Sequence, residues 1–197
     1  MKYPDHDEPT LQEVEDCLST FRDCHSRFVP FVYLPVTVTA MQLRQERPIL
    51  LDAIVSVTCK STKQQERRGK RLRHIFAQEM LIKAEPSIDV LLALLVFVTW
   101  LAPHHLPCFH TCHTNKHSSN RVHLQISHDK IPLKSTVCTY TNLAISAVLD
   151  LGLQKPVVSE PSQSQCILQA MGKASNVVIR TKEQRRAVLG TFLISSS

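Results

Sequence analysis

Seven of the ten histidines lie between 104 and 128, and Cys108 and Cys112 stand among them. Cys108, Cys112, His123 and His128 follow the spacing C-x3-C-x10-H-x4-H. Thiolates and imidazoles are the ligands zinc prefers, four of them in a tetrahedron, so this set could hold one metal ion. The middle spacer of a Cys-Cys-His-His finger is usually about twelve residues. Such a finger also packs a small helix on apolar residues, and "HTNKHSSNRV" (113–122) offers only Val122. Three readings stay open for the tract: a small zinc-binding module centred on 108–128, an exposed loop with adventitious metal affinity, and non-domain sequence such as a translated intron.

Elsewhere the chemistry is thinner. Cys17, Cys24 and His25 are a nucleophile-and-base set only by adjacency. Neighbouring helical residues point about 100° apart, so Cys24 and His25 cannot easily pair with each other. Asp52 and Asp150 sit in apolar helical segments, where a helix-facing hydrogen bond or exposure explains a carboxylate better than catalysis. The sequence has no glycine-rich phosphate loop, no G-x-S-x-G elbow and no H-E-x-x-H pair. A helical enzyme of unknown type remains an alternative for which no constellation speaks, and no catalytic, cofactor or metal residue is assigned. "KQQERRGKRLRH" (63–74) is a different kind of feature, with Arg67, Arg68, Lys70 and Arg71 close together. It reads as the wet face of a helix, as a phosphate-binding stripe, or as a nuclear import signal. No aromatic residue is interleaved with these charges, which argues against stacking on single-stranded nucleic acid.

The elements that would carry these residues are helical. The 197 residues are 43% hydrophobic, enough for a sizeable core, and contain only 4 glycines, too few for a turn-rich β-sandwich. Seven scattered cysteines suit a reducing compartment better than a disulfide scaffold. The acidic start, "MKYPDHDEPT", lacks the apolar region of a secretory signal. Leu11, Val14, Leu18 and Phe21 recur at helical steps and predict a helix over 10–25. "RFVPFVYLP" (27–35) reads as an extended connector, and "TAMQ" (39–42) has capping-box spacing. Pro48 suits the first turn of "PILLDAIVSVTCK", and residues 64–84 start strongly charged and end with Leu72, Ile75, Phe76 and Met80 at helical spacing. In the next helix, 87–102, the apolar run from Val90 to Ala102 is thirteen residues against the roughly 20 a membrane span needs, so it is expected among other helices. Residues 138–152 predict another buried helix with Gly152 as its left-handed cap. Residues 157–181 are mostly linker, and a last helix, "KEQRRAVLGTFLISSS", is expected to set Val188, Leu189 and Phe192 on one face. With no alternating strands and no internal repeat, the fold class is mainly α, an irregular helical array.

Five blocks, in order, resemble one family. They are "RFVPFVYLP", "LRQERPILLDAIVSVT", "SIDVLLALLVFVTW", "TNLAISAVLDLGLQKP" and "RRAVLGTFLISSS", covering 10–101 and 138–197. Together they are similar to the regulatory domain of fungal zinc-cluster transcription factors. The resemblance implies an all-helical, non-catalytic domain of a nuclear regulator of RNA polymerase II transcription. It implies control through the transcription machinery, co-regulator proteins or a second copy of the chain, with no membrane contact. In that family a separate module, holding two zinc ions between six cysteines, reads the DNA. Zinc is therefore expected only there.

This chain departs from the family in three respects. It has no C-x2-C pair, so it is expected to lack the DNA-reading module and to bind no specific DNA sequence alone. It ends at "LISSS", where the family domain continues, so it reads as a single partial regulatory domain. Residues 102–137 also stand where the family has only a short loop. A structureless insertion of that length is suspect inside a compact domain. The residues expected to matter are structural: Pro30, Phe31, "ERPILL" at 46–51, Trp100 and "LDLGL" at 149–153, with Arg47 capping or pairing within the helix packing. A partial domain should expose apolar surface and self-associate, with "AVLGTFLI" (187–194) in the exposed patch.

Overall fold

Thr10 opens the first helix. Its hydroxyl accepts the Glu13 N–H at 3.3 Å and the Glu13 carboxylate accepts the Thr10 N–H at 2.7 Å, so two of the helix's orphan donors are satisfied reciprocally. Helix α1 (Leu11–Thr20) runs on into a π turn over Phe21–His25. The computed structural model of the protein describes residues 9–101, 133–155 and 180–196. Within them every regular element is helical: α2 (Ala40–Glu46), α3 (Pro48–Thr58), α4 (Thr62–Ala77) with a second π turn over Gln78–Ile82, α5 (Ile88–Leu101), α6 (Leu133–Asp150) and α7 (Lys182–Ser195).

Most helix ends follow from the local sequence. Thr39 Oγ1 accepts the Gln42 N–H at 3.2 Å to start α2. The box there is only half made, because Gln42 Nε2 donates to Glu46 Oε1 at 2.9 Å instead. Pro48, which lacks an N–H, occupies the first turn of α3. Ser87 Oγ accepts the Val90 N–H at 3.2 Å at the start of α5. Thr181 and Gln184 form a second full capping box on α7. At the end of α6, Gly152 adopts φ 65°. Its N–H reaches Leu149 O and that of Leu153 reaches Val148 O, both at 2.9 Å, which is the Schellman arrangement.

Helix α5 is the hub. Every residue from Val90 to Thr99 is buried, with α3, α6 and α7 packed around it, and α3 in turn carries α1, α2 and α4. Phe97 of α5 meets Phe76 of α4 at 5.4 Å and Tyr140 of α6 at 5.3 Å between ring centroids, both edge-on. Truncating a leucine from such a site to alanine costs about 2–5 kcal/mol. Among the described residues no helix is long and apolar enough to cross a membrane.

The structure corrects three sequence-based boundaries and resolves the faces of α7. Helix α4 starts at Thr62, where Ser61 Oγ accepts the Gln64 N–H. Its last turn, through Ile82, is a π turn that leaves Leu81 and Ile82 exposed. Helix α6 begins at Leu133 rather than 138, so 133–137 of the expected insertion are helical, and Val137 packs on the core. In α7 the buried residues are Ala187, Gly190 and Thr191, whereas Leu189 and Phe192 are 62% and 66% exposed. The large side chains lose the core face because α7 approaches its neighbour through small ones. A Cβ added at Gly190 would sit 2.5 Å from Phe31 Cγ. The exposed patch expected over 187–194 is thus confined to one side, Leu189, Phe192 and Leu193.

Candidate functional site

An interconnected buried polar group lies where α3, α5 and α7 meet. Helix α3 has no cap of its own, since Arg47 makes no side-chain hydrogen bond to the first turn. Its open donors, the N–H groups of Ile49 and Leu50, are taken by the carboxylate of Asp89, at 3.0 Å to Oδ2 and 2.8 Å to Oδ1. Asp89 comes from the first turn of α5 and is buried. One carboxylate therefore faces the positive ends of two helices. Burial pushes its pKa up from the ordinary value, and the donors of Leu50 and Ile49 and the charge of Arg47 oppose that shift. Arg47 Nη2 meets Glu183 Oε2 of α7 at 3.0 Å. Arg47 thus pairs within the helix packing, with a partner 136 residues away.

A second junction ties the 27–38 segment down. Arg22 Nη2 donates to the carbonyls of Pro35 (3.1 Å) and Val38 (2.5 Å), and Glu15 Oε1 accepts the Ala40 N–H at 2.7 Å. Phe31 packs under Gly190, and the Arg186 guanidinium lies 4.9 Å from the centre of the Tyr33 ring. "RFVPFVYLP" therefore meets "RRAVLGTFLI" in space. Pro30 is exposed and only turns the chain.

The residues considered for chemistry are not assembled for it. Burial pushes the Cys17 thiol up, with the Thr58 hydroxyl and Arg68 acting against that and Cys59 and Asp16 adding to it. A raised thiol is a poor nucleophile. Cys59 Sγ donates to Gln64 Oε1 at 3.0 Å. Cys24 and His25 lie in the first π turn, where His25 is buried and stacked on Phe21 at 6.0 Å between centroids. Asp52 pairs with Arg71 Nε at 3.5 Å, and Asp150 accepts from Ser146 Oγ at 3.3 Å. Among the described residues no three His, Cys, Asp or Glu side chains converge as a metal site. The described cysteines, 17, 24, 59 and 138, form no disulfide. Cys108, Cys112, His123 and His128, like the 157–179 part of the expected linker, lie outside the described residues.

The basic run lies on α4, with Lys63, Arg67, Lys70 and Arg71 exposed and Arg68 half-buried. Trp100 packs beside Phe97 at 6.1 Å, and "LDLGL" makes the α6 cap. Sequence reasoning missed Asp89 and Glu183. The signal for Asp89 was visible: it is the lone charge in the fourteen-residue α5, two places after the capping Ser87.

No protein-family model and no solved structure matches the chain. Curated proteins do. The chain is 29% identical over 195 residues to Transcription factor opdL of Penicillium oxalicum, across 96% of this chain and 30% of that protein. It is 33% identical over 92 residues to a protein of Aspergillus terreus named Transcription factor, across 47% of this chain and 16% of that protein. A third match, 24% over 189 residues, is to Transcription factor himD of Aspergillus japonicus, across 95% of this chain and 27% of that protein. The chain therefore spans under a third of the length of these relatives, and over nearly all of its own length it is similar to fungal transcription factors.

Proposed function

We propose that the chain is a non-catalytic regulatory domain of a nuclear transcription factor acting on RNA polymerase II genes. The observation that carries this reading is the match to named transcription factors along 95–96% of the chain. The architecture supports it: an array knit by helix caps and by Asp89 suits a domain that presents surfaces to co-regulators. In this reading sequence-specific DNA recognition, and the zinc it needs, belong to a module other than the described helices. The test is a reporter assay in a filamentous fungus, with the chain fused to an unrelated DNA-binding module. Reporter output should change by several-fold relative to the module alone, and the fusion should collect in the nucleus. Unchanged output from a folded, nuclear fusion would refute the regulatory reading.

A further inference from the structure

Helix α4 packs on α3 with Gly69, Leu72 and Phe76 buried on its inner side. Its outer side carries Lys63, Arg67, Lys70, Arg71 and His74, all exposed, with Lys60 just ahead of the helix. Steps of four, three, one and three residues hold these side chains in one stripe, about 16 Å long at 1.5 Å per residue. Carboxylates temper it: Glu66 Oε1 meets Lys70 Nζ at 3.1 Å, and Asp52 Oδ2 meets Arg71 Nε at 3.5 Å.

The stripe works against its own helix. Lys63–Arg67 and Arg67–Arg71 are like-charge pairs four residues apart, which destabilise a helix. The first turn of α4 has no acidic residue to complement the positive end of the helix, and Lys63 adds charge of the same sign there. A surface chosen only to be wet would mix signs. The large exposed hydrophobic residues nearest to it, Leu81 and Ile82, lie on the π turn beyond His74, so the stripe over 63–74 itself lacks the apolar anchors of a protein-docking surface. No aromatic ring is interleaved for stacking on unpaired bases. What complements a straight row of cations is a straight row of anions.

We infer that the outer face of α4 binds the phosphate backbone of duplex DNA without reading its sequence. Duplex DNA carries one charge per about 1.7 Å of helix axis, both strands counted, so a stripe about 16 Å long has phosphates within reach along its whole length. This surface goes beyond control through protein partners. Only the choice of DNA among polyanions rests on the transcription reading, and the two fail separately, one in a reporter and one in a binding curve.

The experiment is fluorescence anisotropy of the full chain with two labelled 20-base-pair duplexes of unrelated sequence. Both should bind equally, with log K falling against log salt at a slope of about −0.9 per phosphate contacted, roughly −3 to −4 for the stripe. Lys63→Gln with Arg67→Gln should weaken both duplexes alike and flatten the slope by about two units. Lys182→Gln with Arg185→Gln on α7 removes the same charge and should leave the curve unchanged. Circular dichroism on both variants confirms that the helices persist. Three results would overturn the inference: no binding at 50 mM salt, binding that survives the α4 substitutions, or tighter binding to poly-glutamate or to phosphatidylserine vesicles than to the duplexes.

Discussion

Replacing Asp89 by alanine leaves the Ile49 and Leu50 N–H groups at the start of α3 without an acceptor, the first partly buried and the second buried. An orphaned buried donor costs about 1–3 kcal/mol, so two cost about 2–6. Relief from holding a desolvated carboxylate offsets part of that, leaving a loss of about 3 kcal/mol. Asparagine keeps one acceptor oxygen and should lose about 1 kcal/mol. In urea unfolding with a slope near 2 kcal/mol/M, these become midpoint shifts of about 1.5 M and about 0.5 M at constant slope. The pH dependence has a definite sign. Burial raises the folded-state pKa of Asp89 above its unfolded value. Its stabilising contribution is therefore fully present below the ordinary carboxylate value of about 3.9 and is lost as pH rises through the folded value. The aspartate-to-asparagine stability gap should accordingly be widest in acid and narrow from about pH 4 upward. An alanine variant within about 0.5 kcal/mol of the unaltered chain at neutral pH, the bounds of an ordinary surface change, would refute the capping role. A gap that widens with pH would refute the account of its charge.

Gly190→Ala should lower the thermal midpoint, because its Cβ would lie 2.5 Å from Phe31 Cγ and overpacking costs about 1–3 kcal/mol. Gly69→Ala should raise it, since nothing lies within 4 Å of the added Cβ and helix propensity alone gains about 1 kcal/mol; the two variants moving in the same direction would contradict this. A double-mutant cycle on Arg47 and Glu183, both partly exposed, should give a coupling of no more than about 1 kcal/mol that shrinks with salt, and a larger, salt-independent value would mean the pair is dry. Sedimentation at micromolar concentration should show self-association that Leu189→Ser with Phe192→Ser reduces, whereas a monodisperse unaltered chain would remove α7's outer face as its cause.

Much of the fold is legible in the sequence because its signals are local. Thr39, Pro48 and Gly152 mark helix ends through side-chain and backbone geometry within four residues, and each stands where expected. The apolar run of α5 declares its burial through composition alone. The rest depends on partners the sequence does not place side by side. Asp89 acts forty residues away on Ile49, and Arg47 needs Glu183. The inward face of α7 is not legible, because Gly190 and Thr191 pack by being small, which a hydrophobicity pattern scores as nothing. A π turn adds a residue to the turn and shifts the face, as at Leu81 and Ile82, and no residue type announces it in the sequence. For the histidine tract, the ligand spacing is legible, but its four residues fall outside the described segments.

A helix buried around its whole circumference has an ambiguity that an amphipathic one lacks. Rotating α5 about its axis, or sliding it by one turn, would exchange Leu, Val and Phe for one another at nearly constant hydrophobic gain. Thr99 does not resolve the ambiguity, because its hydroxyl bonds back to Leu95 O of the same helix at 2.8 Å. Asp89 does: in any other rotation its carboxylate faces hydrocarbon instead of the two N–H groups of α3. Its chief effect is then on how many packings the core can adopt, and a chain with Asp89→Leu could stay compact and helical while losing a single arrangement, seen as broadened methyl resonances and a shallow thermal transition. The one charge in α5 works as a key that fits one orientation.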